Sequence, residues 1–402
     1  MKSLTVSCLA LAAAALAWPA LAQESVVYDF NSSAGAVQAR LLLYKNALYG
    51  TTEGYSTNGN YGVVFEVRHV GSTWKESTIA TFDRTNGALP MAGLIADSSG
   101  NLYGTTFQGG AYNGGSVFML SKSGNSWTLR TIWSFAGTET DGAGPACDLL
   151  MDSTGAIYGT TEAGPFGGSN YGTVFKLTQS GGVWTDSVLY SFTGGSDGNR
   201  PNAGLVMDKS GALYGTTLLG GSSINGTGVG TVFELQPNGA TWTETVLHAF
   251  GNGSDGYSPA YSPLLLAANG TLYGATTEGG KPDYGTVYEL RPLGGTWKEK
   301  ILHEFSNDAS DGGRPNGGLI NGASGTMYGT ALSGGPGSGG TVYALTKSSG
   351  GWMESTLYNF VDYGGGIGPI ADVTLDKRAG ALFGVTEEGG TNYGVVYQLM
   401  LP

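Results

Sequence analysis

Three histidines, His69, His248 and His303, are the only imidazoles in the sequence. In the repeated units set out below, His248 and His303 take the place held by Tyr190, Tyr358 and Trp133, so they read as packing residues with a polar tip. His69 lies in a turn and has no repeated partner. No His and Cys stand at metal-ligand spacing, so neither a metal nor another cofactor is expected. Cys147 aligns with Ala92, Ala203, Ser262, Gly317 and Ala371; with only small counterparts, it reads as buried filling rather than a nucleophile.

Carboxylates are the more open candidates. Asp197, Asp255 and Asp311 recur in Ser-Asp-Gly turns, where the side chain can accept a backbone N–H and fix the turn. With Glu162, Glu278 and Glu387, just beyond second strands, they could also form an acidic rim for a cation or for sugar hydroxyl groups. Asp148 and Asp372 break the repeat, standing where other units have Gly93, Gly204 and Gly318. Such a pair could serve a glycosidase, which needs one proton donor and one ionised partner. Arg200 and Arg314, each two residues beyond an Asp-Gly step, could grip a carboxylate ligand or pair with the nearby aspartate. Tyr61, Tyr171, Tyr284 and Tyr393 precede the glycine that opens a third strand, a place suited to sugar stacking or to packing between blades.

A long-period repeat must position these residues. Leu-Tyr-Gly-Thr-Thr, as at 213–217, occurs with small changes seven times, centred on Tyr49, Tyr103, Tyr158, Tyr214, Tyr273, Tyr328 and Phe383 at intervals of 54 to 59 residues. In each unit a short apolar run, a turn such as Asp208 to Gly211, the motif itself, a glycine-rich loop, a third apolar run and a Trp-to-Phe run follow in order. That is four short antiparallel strands per unit, with no stretch periodic enough for an amphipathic helix. Seven such units predict an all-β fold, a seven-bladed β-propeller. The motif becomes the second strand, its glycine allowing close approach of a neighbouring sheet. In the fourth strand, period two places Trp242, Val246, His248 and Phe250 on one face and Leu247 on the other.

The Trp-to-Phe strand is missing after the seventh motif, while residues 26–30 at the other end match 188–192. The start of the mature chain is therefore expected to supply the outer strand of the last blade and close the ring, removing an exposed edge. Loops between strands two and three should share a face with those joining one blade to the next, and this longer-loop face is the expected binding surface.

The run from residue 157 to 175, Leu/Ile-Tyr-Gly-Thr-Thr, then Gly-Gly, then Asn-Tyr-Gly-Thr-Val-Phe, resembles the GloVer tandem repeat of bacterial exported proteins described as "choice-of-anchor". The resemblance covers nearly the whole mature chain and implies the propeller-like fold and export, but no activity. Members commonly end in an anchoring segment, and none is evident here. The turn from Asp97 to Tyr103 is also similar to turns in NHL-type propellers and to the Asp-box of sialidase-like propellers.

Residues 1–22 read as a secretory signal peptide, with Lys2, an apolar run and an Ala-Leu-Ala end, which leaves 23–402 as one domain. Without that segment one cysteine remains, so no internal disulfide is expected and packing must hold the fold. A net charge of −12 with no basic patch argues against nucleic acid and anionic membranes as partners. The expectation is an exported, monomeric, non-enzymatic module, periplasmic or extracellular, that binds a glycan or another surface protein. The alternatives are a carbohydrate-active hydrolase or lyase with carboxylates near the axis, and a purely structural surface protein.

Overall fold

The computed structural model describes residues 22–402 except 32–34, 55–58, 139–140, 163–170, 222, 225–226, 252–253, 260, 262 and 362–363. The signal-peptide reading, Ala22 aside, and Ser262 lie outside the described residues. Blade one runs from the inner strand Leu42–Tyr44 through Ala47–Thr52 and Val63–Val70 to the outer strand Thr73–Thr81, each antiparallel to the last. Blades two to six repeat this order. The seventh takes Thr374–Asp376, Ala381–Glu388 and Val395–Met400 from the end of the chain and its outer strand, Gln23–Asp29, from the start. Gln23 pairs with Met400 and Asp29 with Val395, so the ring closes as the sequence predicts.

Packing between blades explains why the motif repeats. Seven apolar clusters, one at each junction, make up the core. At every junction the outer-strand phenylalanine meets an aromatic ring of the next blade's third strand, as in Phe82–Phe118 at 5.1 Å and Phe250–Tyr288 at 5.2 Å between centroids. The first threonine of the motif stitches a blade to its successor: Thr51 Oγ1 donates to Ala92 O at 3.0 Å and Thr160 Oγ1 to Ala203 O at 3.1 Å. The second bonds within its blade, as Thr217 Oγ1 to Thr231 Oγ1 at 2.8 Å. The glycine serves its own blade, not a neighbour as expected. A Cβ at Gly215 would stand 2.6 Å from Cζ of Phe233, the ring that lies across it from the paired strand.

Two further differences follow from the same geometry. Inner strands are shorter than expected, only Leu150–Met151 in blade three and Val206–Met207 in blade four. Near the axis, backbone carbonyls are taken by threonines of the preceding blade, and Cys147, Asp148 and Asp372 therefore sit just ahead of inner strands. In the outer strand, a bulge between Val246 and His248 breaks the alternation. Trp242 packs toward blade three, whereas Leu247 and Phe250 pack toward blade five, so Trp242 and His248 do not share a face. The bulge lets one strand serve both neighbours.

It also builds a polar contact into the junctions. Six residues before the outer-strand phenylalanine stand Glu24, Glu76, Asp186, Glu244, Glu299 and Glu354, with Leu129 in blade two. The preceding blade presents Tyr28 to Glu76, His248 to Glu299, His303 to Glu354 and Tyr358 to Glu24. At the one junction where the carboxylate is Leu129, the preceding blade offers Ala80, and both pack in the same apolar cluster.

Candidate functional site at the axial mouth

The longer-loop face has a cavity of about 440 Å³ at its centre. Its floor includes Arg40, Gly93, Asp148 and Asp372, which share one register position of the repeat, the residue before the buried inner Leu or Val, with Gly204, Pro263 and Gly318 in the other units. Arg40 crosses Gly93 and its Nε pairs with Asp148 Oδ2. A Cβ on Gly93 would come within 2.7 Å of Arg40 Cγ, so glycine there is what lets the arginine pass. Gly93 N donates to Asp148 Oδ1 at 2.6 Å, and Gly318 N to Asp372 Oδ1 at 2.5 Å. Asp148 first, and Asp372 behind it, hold the Arg40 guanidinium charged beyond its ordinary range, against the cost of burial.

The structure thus brings Asp148 and Asp372 to one cavity, as the pair reading required, and engages both. Asp148 faces a guanidinium and a backbone N–H, and Asp372 faces a backbone N–H with the same guanidinium in reach. Cys147 lies beneath, 1% exposed, with Thr160 N donating to its Sγ at 3.1 Å. Burial pushes its thiol up to about 11, which fits filling and not nucleophilic work.

Around the floor stand Gln38, Phe107, Glu162, Asn202, Tyr261, Asn316, Leu332 and Glu387. Asn202 is 3% exposed and its Oδ1 has no hydrogen-bond partner among the described residues. Asn316 Nδ2 donates to Ile370 O at 2.9 Å. Tyr261, 51% exposed, rises at the edge with Glu162, Arg200 and Glu278 around its hydroxyl. Burial raises the Glu53 and Glu387 carboxyls above the usual range, and the Glu387 charge adds to the effect on Glu53.

The acidic rim expected from the sequence divides in two. Glu162 and Glu387 line the mouth, whereas Asp197, Asp255 and Asp311 are buried at the outer ends of blade junctions. Asp197 Oδ2 accepts from Thr193 N at 2.7 Å and from the Tyr190 hydroxyl at 3.0 Å, and so fixes its own turn. Arg200 does not pair with Asp197, whose oxygens are already taken. Its left-handed backbone, φ 59°, sends the side chain to Glu162 Oε1 at 2.8 Å. Arg314 has the same backbone, φ 55°, and is exposed. Tyr61, Tyr171, Tyr284 and Tyr393 are each half-buried against a junction cluster, which is the packing side of the expectation.

Family models match the chain over residues 18–229 and 225–402, as the Gloeobacter/Verrucomicrobia repeat. The chain belongs to that family. No curated protein matches it in sequence. Among solved structures, this Gloeobacter/Verrucomicrobia repeat protein is similar to a proposed 6-phosphogluconolactonase from Bacteroides uniformis, 14% identical at a TM-score of 0.54 over 85% of this chain and 90% of that one. It is also similar to the polysaccharide lyase Uly1, 10% identical at 0.53 over 93% and 91%. At these identities the likeness is one of fold.

Sequence reasoning missed Arg40, Asn202, Tyr261 and Asn316. For Arg40 a signal existed: it holds the register position at which Asp148 and Asp372 were noticed as departures. Linear His and Cys spacing also leaves two side-chain groupings unseen. His248 and His303 do pack edge-on against Phe250 and Phe305, but each joins two carboxylates from other elements. No linear spacing could show a set assembled across two blades.

Proposed function

We propose that this protein is an exported, non-enzymatic binding module that seats a neutral, hydroxyl-rich ligand, a glycan, in the axial mouth. The observation that carries this reading is the wall of the cavity, where the carboxamides of Asn202 and Asn316 stand together and the buried Asn202 Oδ1 has no partner among the described residues, a costly arrangement in a wall that serves packing alone. The half-exposed ring of Tyr261 beside it offers an apolar face for a sugar ring, and few convergent polar groups in a cavity of this size suit a small ligand. The Arg40–Asp148 pair spans the floor and takes up one of its two carboxyl groups. Likeness to a polysaccharide lyase bears on architecture alone.

A glycan array probed with residues 23–402 tests the reading. Tyr261→Ala and Asn202→Ala are expected to weaken any glycan bound by the native chain about tenfold or more, while Tyr171→Ala and Tyr284→Ala should lower stability and leave affinity alone. Binding that survives both mouth variants would sink the proposal.

A further inference from the structure

Two consecutive blade junctions carry a chemistry that the mouth does not use. Between blades four and five stand His248, Asp255 and Glu299; between five and six stand His303, Asp311 and Glu354. In each set the three candidate ligand atoms lie within 4.8 Å of one another. His248 Nε2 is 3.2 Å from Asp255 Oδ2 and 3.8 Å from Glu299 Oε1. Ligands bonded at about 2.0–2.1 Å around a tetrahedral ion stand roughly 3.3 Å apart, so the ion fits with small adjustments.

The surroundings prepare the ligands for it. Glu299 Oε1 is buried without a hydrogen-bond partner, and 3.8 Å is too far for the imidazole to supply one. Gly251 N donates to Asp255 Oδ1 at 3.1 Å. Gly312 N and Ser306 N hold the two oxygens of Asp311 at 2.7 and 2.9 Å. Such outer contacts fix a carboxylate for coordination. Two carboxyl groups and one imidazole converge in a half-buried place, a donor set of the kind that divalent transition ions take. The histidine and glutamate side chains are still 17% and 15% exposed at the first junction, enough for an ion to enter.

The next junction back supplies an internal control. There Tyr190, Asp197 and Glu244 occupy the same register positions, with the Tyr190 hydroxyl 3.0 Å from Asp197 Oδ2. The fold closes that junction with a phenol, so imidazole at the other two is not a packing requirement. We propose that the two histidine junctions each bind a divalent first-row transition ion, with zinc as the reference case. One imidazole and two carboxylates hold it, and a position remains for water. Bound there, the ion ties the outer strands of blades four, five and six together.

The test is zinc titration of the tag-free full chain after chelator treatment, followed by calorimetry, with cobalt absorption as a second readout. The native chain is expected to take up about two equivalents and to melt at a higher temperature with zinc present. His248→Tyr and His303→Tyr each copy the neighbouring junction; each should lower uptake to one equivalent, and the double variant should lose both uptake and the rise in melting. Glu299→Gln with Glu354→Gln removes one ligand per site without changing shape, so the question stays answerable if a tyrosine variant misfolds. A native chain that takes up no zinc at millimolar concentration, or double variants that take up as much as the native chain, overturns the proposal.

Discussion

At Arg40 one guanidinium answers two carboxylates, and this asymmetry makes its removal costly. Arg40→Met would leave Asp148 beside the axis with only a backbone N–H, so the variant is expected to lose about 1–2 kcal/mol of stability, less than a fully buried pair because the guanidinium is partly exposed. Asp148→Asn in that background should recover more than half of it, and a double-mutant cycle in urea would show the coupling. Tyr397 poses the opposite case. Its hydroxyl is fully buried and unbonded among the described residues, as are those of Tyr288 and Tyr343 in blades five and six, while blades one to four use Phe65, Phe118, Phe175 and Phe233 at the same place. Tyr397→Phe is accordingly expected to be neutral or stabilising by about 1 kcal/mol, read from the same unfolding curves.

Among the elements, the outer strand Gln23–Asp29 has the most to do for its length. It pairs with Val395–Met400 on either side of a bulge at Val27 and delivers Phe30, 0% exposed, to the ring of Phe65 at 4.9 Å. Phe30→Ala is expected to cost about 4 kcal/mol, and deletion of the strand to lower the melting temperature by on the order of 10 °C; a deletion variant that melts like the native chain would disprove the closing role. This strand was legible beforehand because a missing copy at one end and a spare one at the other are both visible in the repeat. The outer-strand bulge was not. Period two is a property of regular strands, and the residue inserted at Leu247 changes which blade His248 faces while leaving the residue types in place. That one flip hid the histidine junctions.

For the whole molecule, repetition recorded packing well and the site poorly. Seven near-equal units disclose what every junction needs, so the blade count, strand order and closure could be read. The mouth depends on residues from several blades whose shared register appears only once the ring is laid out, as Arg40 does when set beside Asp148 and Asp372. Repetition also gives the molecule a common response to pH. Burial and the Asp197 charge push the Glu244 carboxyl up to about 7, from an ordinary value of 4.5. The unfolded chain then gives up its proton before the folded one, so this carboxyl's contribution to stability falls as pH rises from about 4.5 to about 7 and is level beyond. Glu244→Gln is expected to match the native chain at pH 4 and to exceed it by about 1 kcal/mol at pH 8, after allowance for solvent screening, as compared in urea melts at the two values.

The pairing of Gln23 with Met400 places the start of the first strand and the end of the last side by side on the rim of one blade. Tension applied between them would run across the strand pair rather than along it. The bonds would then break one after another, like a zip, instead of sharing the load. A surface or fusion partner pulling through both ends should therefore open the ring at small forces and at this blade first, while the same pull on one end and a distant blade meets the sheet in shear. Mechanical weakness is thus concentrated at the seam that closes the ring.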